Sequence, residues 1–348
     1  METYDGPLPA DIALNDATTV INDKVNLALR AARAKSGGRA PAMAAEVYEL
    51  LGTRSTIPYQ AKIEQWASQL PKAEPKKPGT IYEPRVEDSQ YKGTTAGYGT
   101  RMLAPVIQVG QTLFGVDKLG HFFQLGYAEY YKRTLAPEKL SPDDAAKEGD
   151  KTETQEFGLS LTYVYSRADI AANRAGLRFY QALAMSPDLA FSIRSYVTDQ
   201  WNEQINTNLY TRALTKDMFT NSLPGPWQGT MSWSDGSTPV SVTFPATFDV
   251  TGARSMDELK NNIQHFTGKY QYRHPLASFT SGELEGSLSS AVNADGAVTS
   301  SEIKLGWSEG KFSGKGKLRV ESLKSLSGTW GRGDSETDGG TWRFIKTA

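Results

Sequence analysis

In the longer, N-terminal part of the chain, apolar side chains recur every three or four positions, the spacing of one helix face. Val20, Ile21, Val25, Leu27 and Leu29 follow Asp16 and Thr18 in this way, and residues 43–51 and 57–70 repeat the pattern. Residues 101–113, 116–135, the charged stretch 142–156, 166–185 and 198–219 read as further helices. The run Pro71-Lys72-Ala73-Glu74-Pro75-Lys76-Lys77-Pro78 is too rich in proline and charge to pack. It predicts an extended connection that continues irregularly to about Gly99. Together these elements predict a helical bundle.

The period changes at Ser222-Leu223-Pro224-Gly225-Pro226, which stops a helix and sets the following chain extended. Beyond it polar and apolar residues alternate, as in Thr238-Pro239-Val240-Ser241-Val242-Thr243-Phe244, and the pattern returns near Phe266 and over 269–272, 284–288, 303–307 and 318–320 between glycine turns. Composition breaks at the same place: 17 of 32 glycines and five of seven tryptophans lie in 225–348, whereas 13 of 17 prolines precede it. About eight strands in an antiparallel meander can hide their edges by closing into a small barrel, with one helical turn over 257–263 in a crossover. The predicted fold class is α+β with segregated halves, an α-helical domain over 1–224 and an antiparallel β-barrel over 225–348.

Length and charge narrow the function. The 348 residues are 39% hydrophobic and 22% charged, with 38 basic and 39 acidic side chains and a formal net charge of -1. No surplus field gathers phosphates, so nucleic acid is not an expected partner. The absence of cysteine removes disulfides, thiolate nucleophiles and thiolate metal sites, and leaves His121, His265 and His274 as the only imidazoles. The most apolar stretch, 102–116, is interrupted by Gln108 and Gln111 and is shorter than the roughly 20 residues a bilayer span requires, so no membrane-spanning helix is expected. The start, Met1-Glu2-Thr3-Tyr4-Asp5-Gly6-Pro7, has neither a basic nor an apolar leader segment. A cysteine-free composition rich in Ser, Thr and Gly nevertheless suits an exported protein, and a periplasmic or secreted location is expected.

The densest chemistry lies in Gly115-Val116-Asp117-Lys118-Leu119-Gly120-His121-Phe122. On a helix Asp117 and His121 share a face, so the acid could orient the imidazole as a general base, or the two could ligate a divalent metal, although Lys118 opposes a cation. Asp169 and Asn173 form a second pair four residues apart, and Gly176 permits close helix contact. A bland alternative stands beside each: Asp117 can cap a helix, and Ser166 with Asp169 resembles a capping box.

Asp117-Lys118-x-x-His121-Phe122, followed by Glu153 and Glu156 and then Asp169-x-x-x-Asn173-x-x-Gly176, resembles the pattern of VanZ-like proteins and of small predicted periplasmic lipoproteins over about sixty residues. The resemblance implies an envelope location more than a reaction. The chain departs from it in lacking membrane spans and a lipoprotein cysteine and in carrying a β half. Two antiparallel helices could join Asp117, Lys118, His121, Glu156, Asp169 and Asn173 in one partly buried network. In a catalytic network, His121 would be base or ligand with Asp117 its orienter, Glu156 and Asp169 acids or ligands, and Lys118 an anion stabiliser. No cofactor is required beyond a possible divalent metal, held by His121, Asp117, Glu156 and Asp169 if by any residues.

In the β half Trp227, Trp233, Trp307, Trp330 and Trp342 could line a ligand cavity or simply fill the core. Gly328-Thr329-Trp330-Gly331 and Gly339-Gly340-Thr341-Trp342 resemble closing strands of lipocalin- or avidin-like barrels, a likeness of architecture alone. The Arg332-Gly333-Asp334 tripeptide reads as a solvated turn, and Gly333-Asp334-Ser335 lacks the downstream residues of an esterase triad. The leading expectation is an envelope or secreted protein whose barrel binds a small molecule, lipid, glycan or partner. The alternatives are a metal-assisted hydrolase of an envelope lipid or glycolipid acting through His121, and an adhesin-like module.

Overall fold

Helix α1 (Thr18–Ser36) forms because Ile21, Val25, Ala28, Leu29 and Ala32 make one buried stripe, and it stops at Gly37, whose φ of 62° suits a left-handed cap. Leu27, read as part of that stripe, is 58% exposed on the opposite face. The computed structural model describes residues 2–3, 7–55, 60–95, 103–156, 158–235, 238–252, 255, 257–258, 261, 263–273 and 279–347. Two compact units emerge: Met1–Tyr91 with Gly97–Leu209, and Lys92–Ala96 with Tyr210–Ala348.

In the first unit α1 is followed by α2 (Ala40–Val47) and α3 (Lys62–Ala67). The short strand β1 (Glu2–Thr3) pairs with β3 (Leu103–Ala104), and β2 (Ile81–Tyr82), β4 (Val106–Val109) and β5 (Thr112–Gly115) form a small antiparallel sheet. The helix expected over 101–113 is thus absent from its described part. Pro105 and the β-branched Val106, Ile107 and Val109 favour strands, and Gly110 supplies the positive φ of 63° that a tight hairpin needs.

The chain then runs helically from α4 (Asp117–Gly120) through a wide turn (His121–Leu125) into α5 (Gly126–Tyr130) and a second wide turn (Tyr131–Leu135). α6 (Pro142–Lys151) and α7 (Arg167–Met185) follow, and α7 crosses the 121–130 segment where two glycines meet. A Cβ added to Gly126 would lie 2.6 Å from the Gly176 Cα, so only bare backbone permits this approach. Phe122, Phe123, Phe179, Phe191 and Trp201 pack around the crossing. The helix expected over 198–219 is confined to α8 (Arg212–Ser222), in the second unit. Upstream, Asn202 accepts from Gln204 N–H and Asn206 donates to the Gln200 carbonyl, local bonds that compete with a helical ladder. Between α7 and α8 lie the short strand β7 (Leu209–Tyr210) and, before α7, β6 (Val164–Tyr165).

The second unit is a closed eight-stranded antiparallel barrel, as the alternation predicts. Its strands are β8 (Gly225–Asp235), β9 (Thr238–Gly252), β10 (Gln264–Arg273), β11 (Phe279–Val292), β12 (Val298–Glu309), β13 (Phe312–Ser322), β14 (Ser325–Arg332) and β15 (Gly340–Lys346), with β15 pairing back to β8. Along β10 burial alternates strictly, placing Phe266, Tyr270 and Tyr272 inside. Where β8 begins, Phe219 and Leu223 join the barrel core and the Trp227 indole donates to the Leu223 carbonyl at 2.8 Å, so α8 stoppers that end. Between β9 and β10 one turn is closed by Asn261 N–H on the Asp257 carbonyl, as expected there. Among the described residues no helix is long and apolar enough to cross a membrane.

Replacing Gly176 with leucine is expected to force the two helices apart and cost at least about 1–3 kcal/mol of helical-unit stability, read by chemical denaturation. An unchanged midpoint would contradict the close crossing.

Candidate functional site

β5 leads directly into α4, so Asp117 and Lys118 enter the interior of the first unit. Lys118 is fully buried, its ammonium 2.9 Å from Asp117 Oδ2 and 2.6 Å from Glu203 Oε1, and it also meets Asp169 Oδ1. Glu203 is fixed in turn by Ser166 Oγ at 3.0 Å and Asn208 Nδ2 at 2.8 Å. Burial alone would discharge Lys118, but the three carboxylates hold its pKa well above the ordinary lysine value. The N-cap position of α4 is Val116, with no side-chain cap, and the Asp117 carboxylate pairs with Lys118. Ser166 does cap α7, accepting from Asp169 N–H at 3.1 Å.

His121 sits one turn beyond Asp117, yet the acid that engages its ring is Asp169, whose Oδ2 is 3.1 Å from Nε2. Asp169, rather than Asp117, is therefore the orienting group. Nδ1 lies 3.1 Å from the Asn173 side-chain amide. Turned with its nitrogen inward, that amide donates to the backbone carbonyls of His121 and Asp169 at 3.2 Å each and also faces Nδ1. The amide's two hydrogens serve two of these three acceptors, and a ring protonated only on Nε2 fits this orientation. Burial opposes a charged ring, but the Asp169 carboxylate outweighs it and raises His121 to about 9. The second proton then requires the Asn173 amide to turn its oxygen toward Nδ1 and give up both carbonyls.

Two further acids complete the cluster, Glu153 of the sequence pattern and Glu64, which the sequence did not mark. The Glu64 carboxyl fills the space left by Gly120, where any Cβ would collide with it, and burial together with Asp117 pushes it up to about 8. Glu153 is buried, and burial with the Asp169 charge raises it as well. The side chain of Glu156 lies outside the described residues. Glu203 and Glu64 carry no spacing signal in the sequence, since one follows α7 in an irregular segment and the other stands on a short helix remote in sequence.

Asp117, His121 and Asp169 each bring one ligand atom within 4.8 Å of the others, so this donor set could hold a divalent ion. The Lys118 ammonium already stands among these carboxylates, and a metal would have to displace it and take Nε2 from Asp169. The Lys118 ammonium, Asp169, Glu203 and the His121 ring are thus turned on one another, while Asn208 Oδ1 is buried without a hydrogen-bond partner among the described residues. Of the other histidines, His265 is 3.1 Å from Glu258 Oε1, and His274 lies outside the described residues.

The barrel differs. At the end opposite α8 it opens into a cavity of about 550 Å3 lined by Trp233, Trp307, Trp330 and Trp342, with Tyr270 and Tyr272 on its wall. Trp227, at the α8 end, is not part of this lining. Trp307 donates to the Gly331 carbonyl at 2.9 Å. The Trp330 and Trp342 indoles stack with centroids 5.9 Å apart, and each has a buried N–H without a hydrogen-bond partner among the described residues. Glu309 accepts from the Tyr270 hydroxyl at 2.5 Å and the Tyr272 hydroxyl at 3.2 Å, and burial with this carboxylate raises both phenols. Lys311, Arg332 and the half-exposed Phe312 edge the opening. Asp334 is solvated and pairs with Lys315, consistent with a surface turn at the Arg-Gly-Asp tripeptide. No known protein family, curated protein or solved structure matches the chain.

Lys118→Met is expected to leave three buried carboxylates without their counter-ion and to cost about 3–5 kcal/mol in chemical unfolding at neutral pH. A loss below 1 kcal/mol, about the worth of an exposed pair, would contradict the buried arrangement.

A pH dependence follows. Glu64 moves from 4.5 to about 8 on folding, so its contribution is complete below pH 4.5 and lost as pH rises through 8. His121, moving from 6.5 to about 9, has the same sign over a higher window. Unfolding followed from acid to alkaline pH is expected to show the helical unit weakening on the alkaline side, with Glu64→Gln flattening the slope. An unaltered slope would mean that Glu64 ionises freely in the fold.

Proposed function

We propose that this protein binds a small organic ligand in the open mouth of its barrel, and that the ligand is flat, mainly apolar and equipped with at least one hydrogen-bond acceptor. The observation that carries this reading is the pair of buried indole N–H groups of Trp330 and Trp342, left without partners on residues that line a cavity. A buried donor without an acceptor costs about 1–3 kcal/mol, so a ligand oxygen that meets one or both recovers that energy on binding. Four indoles and two phenol rings supply broad stacking surface, the usual lining of a small-molecule site. Lys311 and Arg332 at the opening favour a ligand with negative character at one end.

The setting we assign is the bacterial envelope or the outside of the cell. It rests on the resemblance of Asp117-Lys118-x-x-His121-Phe122 to VanZ-like and predicted periplasmic proteins, independently of the barrel. Hydrolysis through His121 is the weaker reading, because both ring nitrogens are engaged by Asp169 and Asn173.

Titration with 8-anilinonaphthalene-1-sulfonate, a flat apolar anion with acceptor oxygens, is expected to quench tryptophan emission with one site per chain. Trp330→Phe and Trp342→Phe keep a ring but remove the donor, and each is expected to weaken binding by about tenfold, the equivalent of 1.4 kcal/mol. Affinity equal to wild type in both variants would sink the proposal.

A further inference from the structure

The helical unit carries a second cavity, of about 540 Å3, along the outer face of α7. Arg167, Arg174 and Arg178 stand seven and four residues apart, on one stripe of the helix with Ala171 between them. At 1.5 Å per residue the three span about 16 Å of helix axis. Thr198, Gln200 and Asn206 form the facing wall, with Ile170 and Trp201 between the walls and the Tyr165 ring beside Arg167.

All three arginines are exposed, and among the described residues Arg167 and Arg178 make no hydrogen bond or ion pair. Arg174 stands 3.9 Å from Asp150, too far for a hydrogen bond, and its charge also acts on Glu129, but its fork of N–H donors makes no hydrogen bond among the described residues. Among the described lining residues Asp150 is the only acid beside three arginines, on a chain whose formal net charge is -1. Like charges aligned along one helix face repel, so this arrangement lowers stability unless an anion offsets it.

From this row of three guanidinium groups, two of them without an ion pair among the described residues and all facing a wall of neutral polar side chains, we infer that the α7 groove binds a phosphoryl anion. Arg174 and Arg178, one turn apart, present paired N–H forks to the same dianionic group, which suits the planar, bidentate recognition of phosphate oxygens by arginine. Arg167 stands at the positive, N-terminal end of α7 and meets a second phosphoryl oxygen or the next group along the ligand. Thr198, Gln200 and Asn206 add hydrogen bonds to the uncharged portion. The size of the cavity suits a phosphate ester of a small polar molecule or the phosphate headgroup of a lipid, both of which offer the same anion. This site is separate from the barrel mouth and does not rest on the reading given for it.

The test uses the full chain at low ionic strength, with two probes. Inorganic pyrophosphate is titrated by calorimetry, and phosphatidylcholine vesicles with and without phosphatidic acid are sedimented with the protein. Binding of pyrophosphate with one site per chain marks a soluble phosphate ester as the source. Binding only to the vesicles containing phosphatidic acid marks a lipid. Either is expected to fall at least tenfold in the Arg174→Gln/Arg178→Gln double variant and to recover in part with Arg174→Lys/Arg178→Lys. Both pairs of substitutions are on the surface, and an unchanged melting temperature verifies that they fold. Failure to bind either probe, or equal binding by the glutamine variant, overturns the inference.

Discussion

The helical unit is organised around one ammonium group. Lys118 has no exposed surface and faces Asp117, Asp169 and Glu203, which come from the start of α4, the first turn of α7 and the segment beyond α7. A charge so placed is tolerable only if its partners are held in register, and the partners are likewise tolerable only in its presence. This mutual dependence pins three separate stretches of chain to one point. The Gly126–Gly176 approach completes the arrangement, because it lets the 121–130 segment lie close enough to α7 for His121 to reach both Asp169 and Asn173.

The barrel meets a different constraint. Its backbone polarity is satisfied by closure of β8 through β15, and its interior is sealed at one end by α8 with Phe219, Leu223 and Trp227. Phe244, Phe248, Phe266 and Phe344 fill the centre by edge-to-face contacts. Among the described residues nothing equivalent fills the other end, where indoles and phenols line a cavity. An eight-stranded barrel has an interior that side chains can just fill, so a gap at one end reflects which side chains stand there and not the strand count.

Legibility followed the strength of periodicity. The eight strands and their closure could be read because alternation with glycine turns repeats the same statement many times. α1 and α7 were legible from stripes of apolar residues, and the Ser166 cap from its spacing to Asp169. The 101–113 stretch was misread because a short apolar run fits a helix or a strand equally well, and the hairpin glycine at 110 was the discriminating residue. Asp117, His121, Asp169 and Asn173 could be gathered from i, i+4 pairs on two helices. Glu203 and Glu64 could not, since neither stands at a marked spacing from the motif and each reaches the cluster through tertiary folding. The same limit hid the exchange of Asp117 for Asp169 as the partner of His121, because spacing along one helix says nothing of a carboxylate arriving from another.

Polar groups tell the two units apart more clearly than secondary structure does. In the cluster around Lys118, buried donors and acceptors answer one another: Ser166 serves Glu203, Asn208 serves Glu203, and Asp169 serves both Lys118 and His121. In the barrel mouth two indole donors on cavity-lining residues are without partners among the described residues, and along α7 two guanidinium groups have neither hydrogen bond nor ion pair among them. Recognition requires groups whose needs the fold has not met, and in this chain those groups stand apart from its most conspicuous motif.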